Sequence, residues 1–136
     1  MGFAADFVVW QEHYSVGVKA IDEQHKQALR VINSIYKSMG TGASARLEAD
    51  LKRLRIFTAT HFRYEEELLR IVEYPGLPAH MEQHRTMRER TESYISAFQR
   101  GDGDSLELLQ LLKDWWINHI NGEDRKYVPQ VMGLEL

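Results

Sequence analysis

Residues 47–72, LEADLKRLRIFTATHFRYEEELLRIV, decide the fold. Leu47, Leu51, Leu54, Thr58, His61, Glu65, Leu68 and Val72 recur in alternating steps of four and three, the spacing of the inward seam of a packed helix. Two of these seam positions are polar. The same stepping runs through Val18, Ile21, His25, Ala28, Ile32, Ile35 and Met39, through His80, His84, Met87, Thr91, Tyr94 and Phe98, and through Leu108, Leu112, Trp115 and His119. Five of the six histidines therefore stand where leucines are expected, and Glu65 stands with them.

Three breaks divide the chain: Gly40-Thr41-Gly42, Tyr74-Pro75-Gly76-Leu77-Pro78 and Arg100-Gly101-Asp102-Gly103-Asp104. Glycine suits helix C-caps and proline suits first turns. Asp104 with Glu107 three residues on has the spacing of a capping box. These signals predict helices near 19–39, 44–73, 78–100 and 104–128, in one domain over 1–136. Links this short make neighbouring helices antiparallel, so the expected class is all-α, an up-down-up-down four-helix bundle. An N-terminal arm, 1–17, carries Phe3, Phe7, Trp10 and Tyr14, which are expected to pack over the bundle, with partner binding as the alternative. His13 is read as an arm residue.

Composition narrows the function. Hydrophobic residues make up 43% and charged residues 27% of the 136, ordinary for a globular domain. At a net charge of -3 with interspersed signs there is no basic face for nucleic acid. The absence of cysteine excludes disulfides, thiolate metal sites and cysteine nucleophiles. No apolar run reaches the ~18–20 residues of a membrane span, and Met1 to Trp10 lacks the pattern of a signal peptide. The expectation is a cytoplasmic protein without membrane insertion.

In the antiparallel topology the seam histidines share one end of the bundle. His25 lies near the start of the first helix, His61 and Glu65 late in the second, His80 and His84 at the start of the third, His119 late in the fourth. Each buried polar group without a partner costs roughly 2–7 kcal/mol, against a total stability of about 5–15 kcal/mol for a small domain. Six uncompensated positions would unfold the protein, and imidazole with carboxylate aimed at one point suits a transition metal. His61 and Glu65, like His80 and His84, are one turn apart and present both groups on one face. His119 needs a partner from Asn121, Glu123 or Asp124; Asp124 is five residues on and joins the set only if the helix widens into a π-type turn there, which Gly122 is expected to ease. Five imidazoles and two carboxylates exceed one ion. Two metals sharing both carboxylates and one solvent bridge use them well. The histidines then divide three and two, and one metal keeps one open position.

Ser15-Val16-Gly17-Val18-Lys19-Ala20-Ile21-Asp22-Glu23-Gln24-His25 resembles the entry motif of hemerythrins. His61-Phe62-Arg63-Tyr64-Glu65-Glu66, His80-Met81-Glu82-Gln83-His84 and His119-Ile120-Asn121-Gly122-Glu123-Asp124 resemble their remaining ligand motifs, in the same order and over nearly the whole chain. The likeness is nearest to the bacterial single-domain branch of that family. It implies two iron ions joined by an oxo or hydroxo bridge. His80, His84 and His119 would hold the saturated iron and His25 and His61 the open one, with Glu65 and Asp124 bridging. It further implies a non-enzymatic O2 binder for carriage, storage or delivery, with an O2-consuming enzyme as a conceivable recipient.

Ala28, Leu29, Phe62, Trp115 and Ile120 adjoin these positions and are expected to line a dry O2 pocket. Ala28 stands where relatives often carry a larger aliphatic residue and is expected to widen that pocket unless Leu29 fills it. Glu66 and Glu67 are read as solvated or as outer partners of the ligands, and Trp116 as a core filler. Competing functions are a di-iron oxidase, peroxidase or nitric-oxide-handling enzyme, and an iron- or O2-responsive interaction module. Oxygen-activating di-iron bundles of the ferritin-like class use mostly carboxylates, so a histidine-rich set weighs against the first.

Overall fold

Steps of three and four become four long helices in the structure, a computed structural model that describes residues 6–41, 44–101 and 105–131. They are α1 (Lys19–Thr41), α2 (Ser44–Ile71), α3 (Leu77–Gln99) and α4 (Ser105–Asn118). A 3-10 turn, Glu12–Tyr14, precedes them. After α4 the chain continues through a π-helical stretch, His119–Asp124, a 3-10 turn, Arg125–Tyr127, and a final turn α5 (Val128–Val131). Helix α1 packs against α2 and α4, and α3 against the same two, which closes an antiparallel four-helix ring. Among the described residues there is no strand, and no helix is long and apolar enough to cross a membrane.

The helix ends depart from the expected pattern in two places. Helix α2 is expected to run to about 73, ahead of the break at Tyr74-Pro75-Gly76-Leu77-Pro78. It ends at Ile71, and Glu73 takes the left-handed conformation (φ 56°). The Glu73 N–H donates to the Arg70 carbonyl (3.1 Å) and the Tyr74 N–H to the Leu69 carbonyl (2.9 Å), the two bonds of a Schellman cap. Tyr74 and Leu69 share an apolar cluster, which supplies the hydrophobic contact that helps a residue bearing a Cβ hold this conformation. Gly101, at φ 81°, ends α3 in the usual way. The fourth helix, expected to continue to 128, changes its hydrogen bonding at His119. Asp104, Gly42, Gly103 and Phe3 lie outside the described residues.

The arm lies along α1. Asn33 receives the Val8 N–H (2.9 Å) and donates to the Val8 carbonyl (2.8 Å), as a neighbouring strand would. Phe7 packs on Tyr36, Trp10 on Tyr14, and Lys26 sits over the Trp10 ring.

Two apolar clusters fill the bundle. The larger contains Ala28, Ile32, Ile35, Leu51, Leu54, Phe62, Met87, Ile95, Leu112, Trp116 and Ile120 among others. The smaller contains Val16, Val18, Ile21, Leu68, Leu69, Tyr127 and Val131. His25 falls between Ile21 and Ala28, Glu65 between Phe62 and Leu68, and Asp124 between Ile120 and Tyr127. The polar groups thus form a layer between a long core and a short seal.

One buried carboxylate lies away from that layer. Asp50 accepts hydrogen bonds from Ser34 (2.9 Å) and Ser38 (2.6 Å) and pairs with Arg53 (2.6 Å), tying α1 to α2. Hydrogen bonds to charged groups contribute about 1.5–3 kcal/mol each. Asp50→Ala is expected to lower unfolding stability by about 2–3 kcal/mol in urea titrations. A loss within ~0.5 kcal/mol would show that this tie contributes little.

Candidate metal centre

Each of the four long segments delivers its polar residues to one place. His25 comes from α1, His61 and Glu65 from α2, His80 and His84 from α3, and His119 and Asp124 from the widened stretch after α4. All seven are buried, and His25, Glu65, His84 and Asp124 have no exposed surface. His13, by contrast, is exposed on the arm against Tyr14.

The two carboxylates join two groups of histidines. Glu65 Oε1 lies 2.6 Å from His80 Nε2, 3.1 Å from His84 Nε2 and 3.8 Å from His119 Nε2. Its Oε2 lies 3.6 Å from His61 Nε2 and 3.9 Å from His25 Nε2. Asp124 repeats the division, with Oδ1 at 2.9 Å from His119 and 3.2 Å from His80, and Oδ2 at 2.9 Å from His25. Glu65, His80, His84 and His119 offer ligand atoms close enough to share one cation, and so do His25, His61 and Glu65.

Asp124 reaches this layer because His119–Asp124 is π-helical. Five residues on an ordinary α-helix would turn Asp124 about 140° away from His119; the wider turn brings both inward. Gly122 does not force it. A Cβ there would meet nothing, and its φ is not positive. The expectation that glycine eases the widening therefore has no steric basis in the structure.

The chemistry of the layer fits a cation. The close approaches of Asp124 to His25 and His119 have ion-pair distances but not hydrogen-bond alignment. Both Asp124 oxygens, both His25 nitrogens and His61 Nε2 are buried with no hydrogen-bond partner. Native proteins rarely leave buried polar atoms unsatisfied. Four of these atoms, the two Asp124 oxygens, His25 Nε2 and His61 Nε2, are metal donors that face the shared layer.

Outer contacts fix two of the rings. His61 Nδ1 meets the Gln24 carbonyl at 2.6 Å, and His84 Nδ1 meets Glu66 Oε2 at 2.7 Å. With Nδ1–H donated outward, each ring turns a bare Nε2 to the interior. Aromatic faces hold the planes. Phe62 stacks on His84 (centroids 3.9 Å), Trp115 on His119 (4.2 Å) and Phe57 on His61 (5.8 Å).

Without metal, protons mediate the attraction within this layer. Burial alone would depress His25 and His80, but the adjacent Asp124 and Glu65 carboxylates raise both to about 9. Burial would depress His119 too, but the Asp124 and Glu65 carboxylates together raise it. Burial dominates at His61 and lowers it to about 4, leaving it neutral. Burial would push Glu65 and Asp124 up, yet the surrounding histidines hold both carboxyls below the usual range. The donor set is thus anionic carboxylates among exchangeable imidazole protons, which a metal can displace.

Two further residues touch the layer. The Tyr127 hydroxyl donates to Glu65 Oε2 (3.0 Å). Burial, then the Glu65 and Asp124 charges, push its ionisation well above the ordinary phenol value, so it stays a donor. Trp116, fully buried, lies 5.5 Å from His61 and 5.7 Å from Phe62. Of the expected pocket residues, Ala28, Leu29, Phe62 and Ile120 are buried in the larger cluster. Trp115, expected in the same pocket, lies over the His119 ring, 6.4 Å from His84, and opens onto a groove between α3 and α4 that also touches Gln83, Arg90 and Tyr94. Trp116 is the indole on the His61 side.

Comparison with known proteins agrees with this arrangement. Residues 16–131 match the family described as Hemerythrin HHE cation binding domain. The chain is 32% identical over 124 residues to a protein named Bacteriohemerythrin from Stenotrophomonas maltophilia (strain R551-3), covering 91% of this chain and 81% of that one. The chain belongs to the hemerythrin family. Proteins named Bacteriohemerythrin from Pseudomonas aeruginosa strains match to the same degree, and a Myohemerythrin from Sipunculus nudus is 31% identical over 93% of this chain and 97% of its own. A crystal structure of wild-type hemerythrin shares the fold, with a TM-score of 0.85 at 23% identity over 92% of this chain and 98% of its own. The hemerythrin fold and the histidine–carboxylate layer together fit a di-iron site.

Proposed function

We propose that this protein binds O2 reversibly at two iron ions and that His25, His61, Glu65, His80, His84, His119 and Asp124 are the ligands. One observation carries the reading: each carboxylate turns one oxygen to His80 and His119 and the other to His25, with His84 joining the first group and His61 the second. A three-and-two division leaves the His25–His61 side one donor short, which suits a small exogenous ligand there. Iron at these positions would supply the electrons that hold dioxygen.

The chain's own part is to orient and to exclude water. Gln24 and Glu66 set the ring tautomers, and the Tyr127 hydroxyl holds the Glu65 oxygen nearest the His25–His61 pair. Trp116 and Phe57 set apolar rings beside His61, Phe62 bridges His61 and His84, and Ala28, Leu29 and Ile120 of the larger cluster are proposed to complete the apolar wall. A dry wall slows proton and water entry, which supports reversible binding over turnover. Membership of the hemerythrin family, whose curated members include the Myohemerythrin above, supports a carrier or store.

The test is repeated oxygenation. Ferrous protein with about two irons per chain, exposed to air and then flushed with argon, is expected to regain its ferrous spectrum over many cycles. One-way oxidation with release of peroxide would replace this reading with an oxidase.

A further inference from the structure

The two rings fixed from outside are fixed by different chemistry. His84 donates its Nδ1–H to a carboxylate, Glu66, whose side chain is 19% exposed and reaches solvent. His61 donates to the neutral carbonyl of Gln24. The two contacts are alike in length, 2.7 and 2.6 Å, and each ring lies parallel to a phenylalanine, His84 at 3.9 Å from Phe62 and His61 at 5.8 Å from Phe57. The rings belong to opposite groups of the layer, His84 to the set around Glu65 Oε1 and His61 to the set around Oε2.

An imidazole whose outer N–H is shared with a carboxylate gains negative character at its inner nitrogen and becomes a stronger donor; an amide carbonyl does this far less. A stronger donor stabilises the higher oxidation state of the metal it holds. We infer that Glu66 and Gln24 are positioning residues that make the two metal positions electronically unequal: Glu66, acting through His84, favours ferric iron at the three-histidine position, while Gln24 keeps His61 a neutral donor and favours ferrous iron at the two-histidine position. This rests on the di-iron reading above and adds to it a difference between the two irons imposed from outside the ligand set.

The experiment compares wild-type protein with Glu66→Gln, Gln24→Glu and, as a control, Glu67→Gln. Glu67 is exposed and pairs with Arg70 one residue along from Glu66, so its variant removes the same charge without touching an imidazole. In metal-free protein, nitrogen-15 NMR is expected to show His84 and His61 protonated at Nδ1 in the wild type. His84 protonated only at Nε2 would overturn the inference before any iron is added.

In iron-loaded protein, Glu66→Gln is expected to retain both irons and to weaken the ferric preference about tenfold, an upward shift of ~59 mV in a one-electron potential. Gln24→Glu is expected to shift the potential downward by a similar amount, and Glu67→Gln to leave it in place. Glu66→Ala, which removes the acceptor altogether, is expected to weaken ferrous binding 10–100-fold. An unchanged potential in Glu66→Gln, or an equal shift in Glu67→Gln, overturns the inference while leaving the di-iron reading intact. A wild-type protein that takes up no iron overturns both.

Discussion

Glu65→Ala is expected to leave the protein without either iron. Glu65 is fully buried, and its two oxygens face both groups of histidines at once, with Tyr127 on the second oxygen. Removing it takes an anionic donor from both positions and leaves the His80 ring and the Tyr127 hydroxyl without their partner. Outer partners of ligands carry 10–100-fold in metal affinity, so a shared ligand should carry at least ~100-fold. Metal analysis after gel filtration is expected to find iron near zero, with circular dichroism showing the helices retained. Glu65→Gln keeps the shape but loses the charge, and should fall between the variant and the parent. His13→Ala, on the exposed arm, should keep the full complement. Two irons retained in Glu65→Ala would remove this residue from the proposed set.

Trp116→Ala should show the largest loss of stability of any change close to the site. The indole is fully buried against His61, Phe62, Phe57 and Trp115. Its Nε1–H has no partner, so the loss comes from packing alone. Large-to-small changes at such positions cost about 3–5 kcal/mol, a large share of a small domain's stability. The cavity left behind would border His61, on the side of the layer with fewer donors. Oxygenated Trp116→Ala should therefore decay to the ferric form several-fold faster than the parent, alongside an earlier urea midpoint. Trp116→Phe, which refills part of the space and removes the unpartnered N–H, should recover most of both. A loss below ~1 kcal/mol with an unchanged oxidation rate would place this indole outside the pocket wall.

The helices and their antiparallel order are legible from spacing because each seam is long and repeats without interruption. The seven polar residues are legible for the same reason, since His61 or His84 at a leucine position violates a strong pattern. Asp124 breaks the ordinary spacing, and only the chemical need for a second carboxylate pointed to it; the π-helical stretch supplies the geometry. Trp116 reads as a core filler and is one, but its place beside His61, like that of Tyr127 beside Glu65, is not legible because aromatic residues at helical spacing look like any other core. Tyr127 has one usable signal, a hydroxyl one turn beyond Asp124. Gln24 could be found only by knowing which ring it would face, a contact across thirty-seven positions of chain. The Glu73 cap was missed because local rules assign that place to glycine, whereas packing of Tyr74 on the smaller cluster holds it here.

The seal formed by Tyr127 and Val131 with Val16, Val18 and Ile21 has a consequence for assembly during synthesis. The segment that closes the layer also carries Asp124, and both emerge from the ribosome after the first three helices. Without them, His25, His61, Glu65, His80 and His84 would lack the Asp124 carboxylate and the Tyr127 hydroxyl. Docking of the last turns supplies the Asp124 carboxylate and covers the layer with Tyr127 and Val131 in a single step.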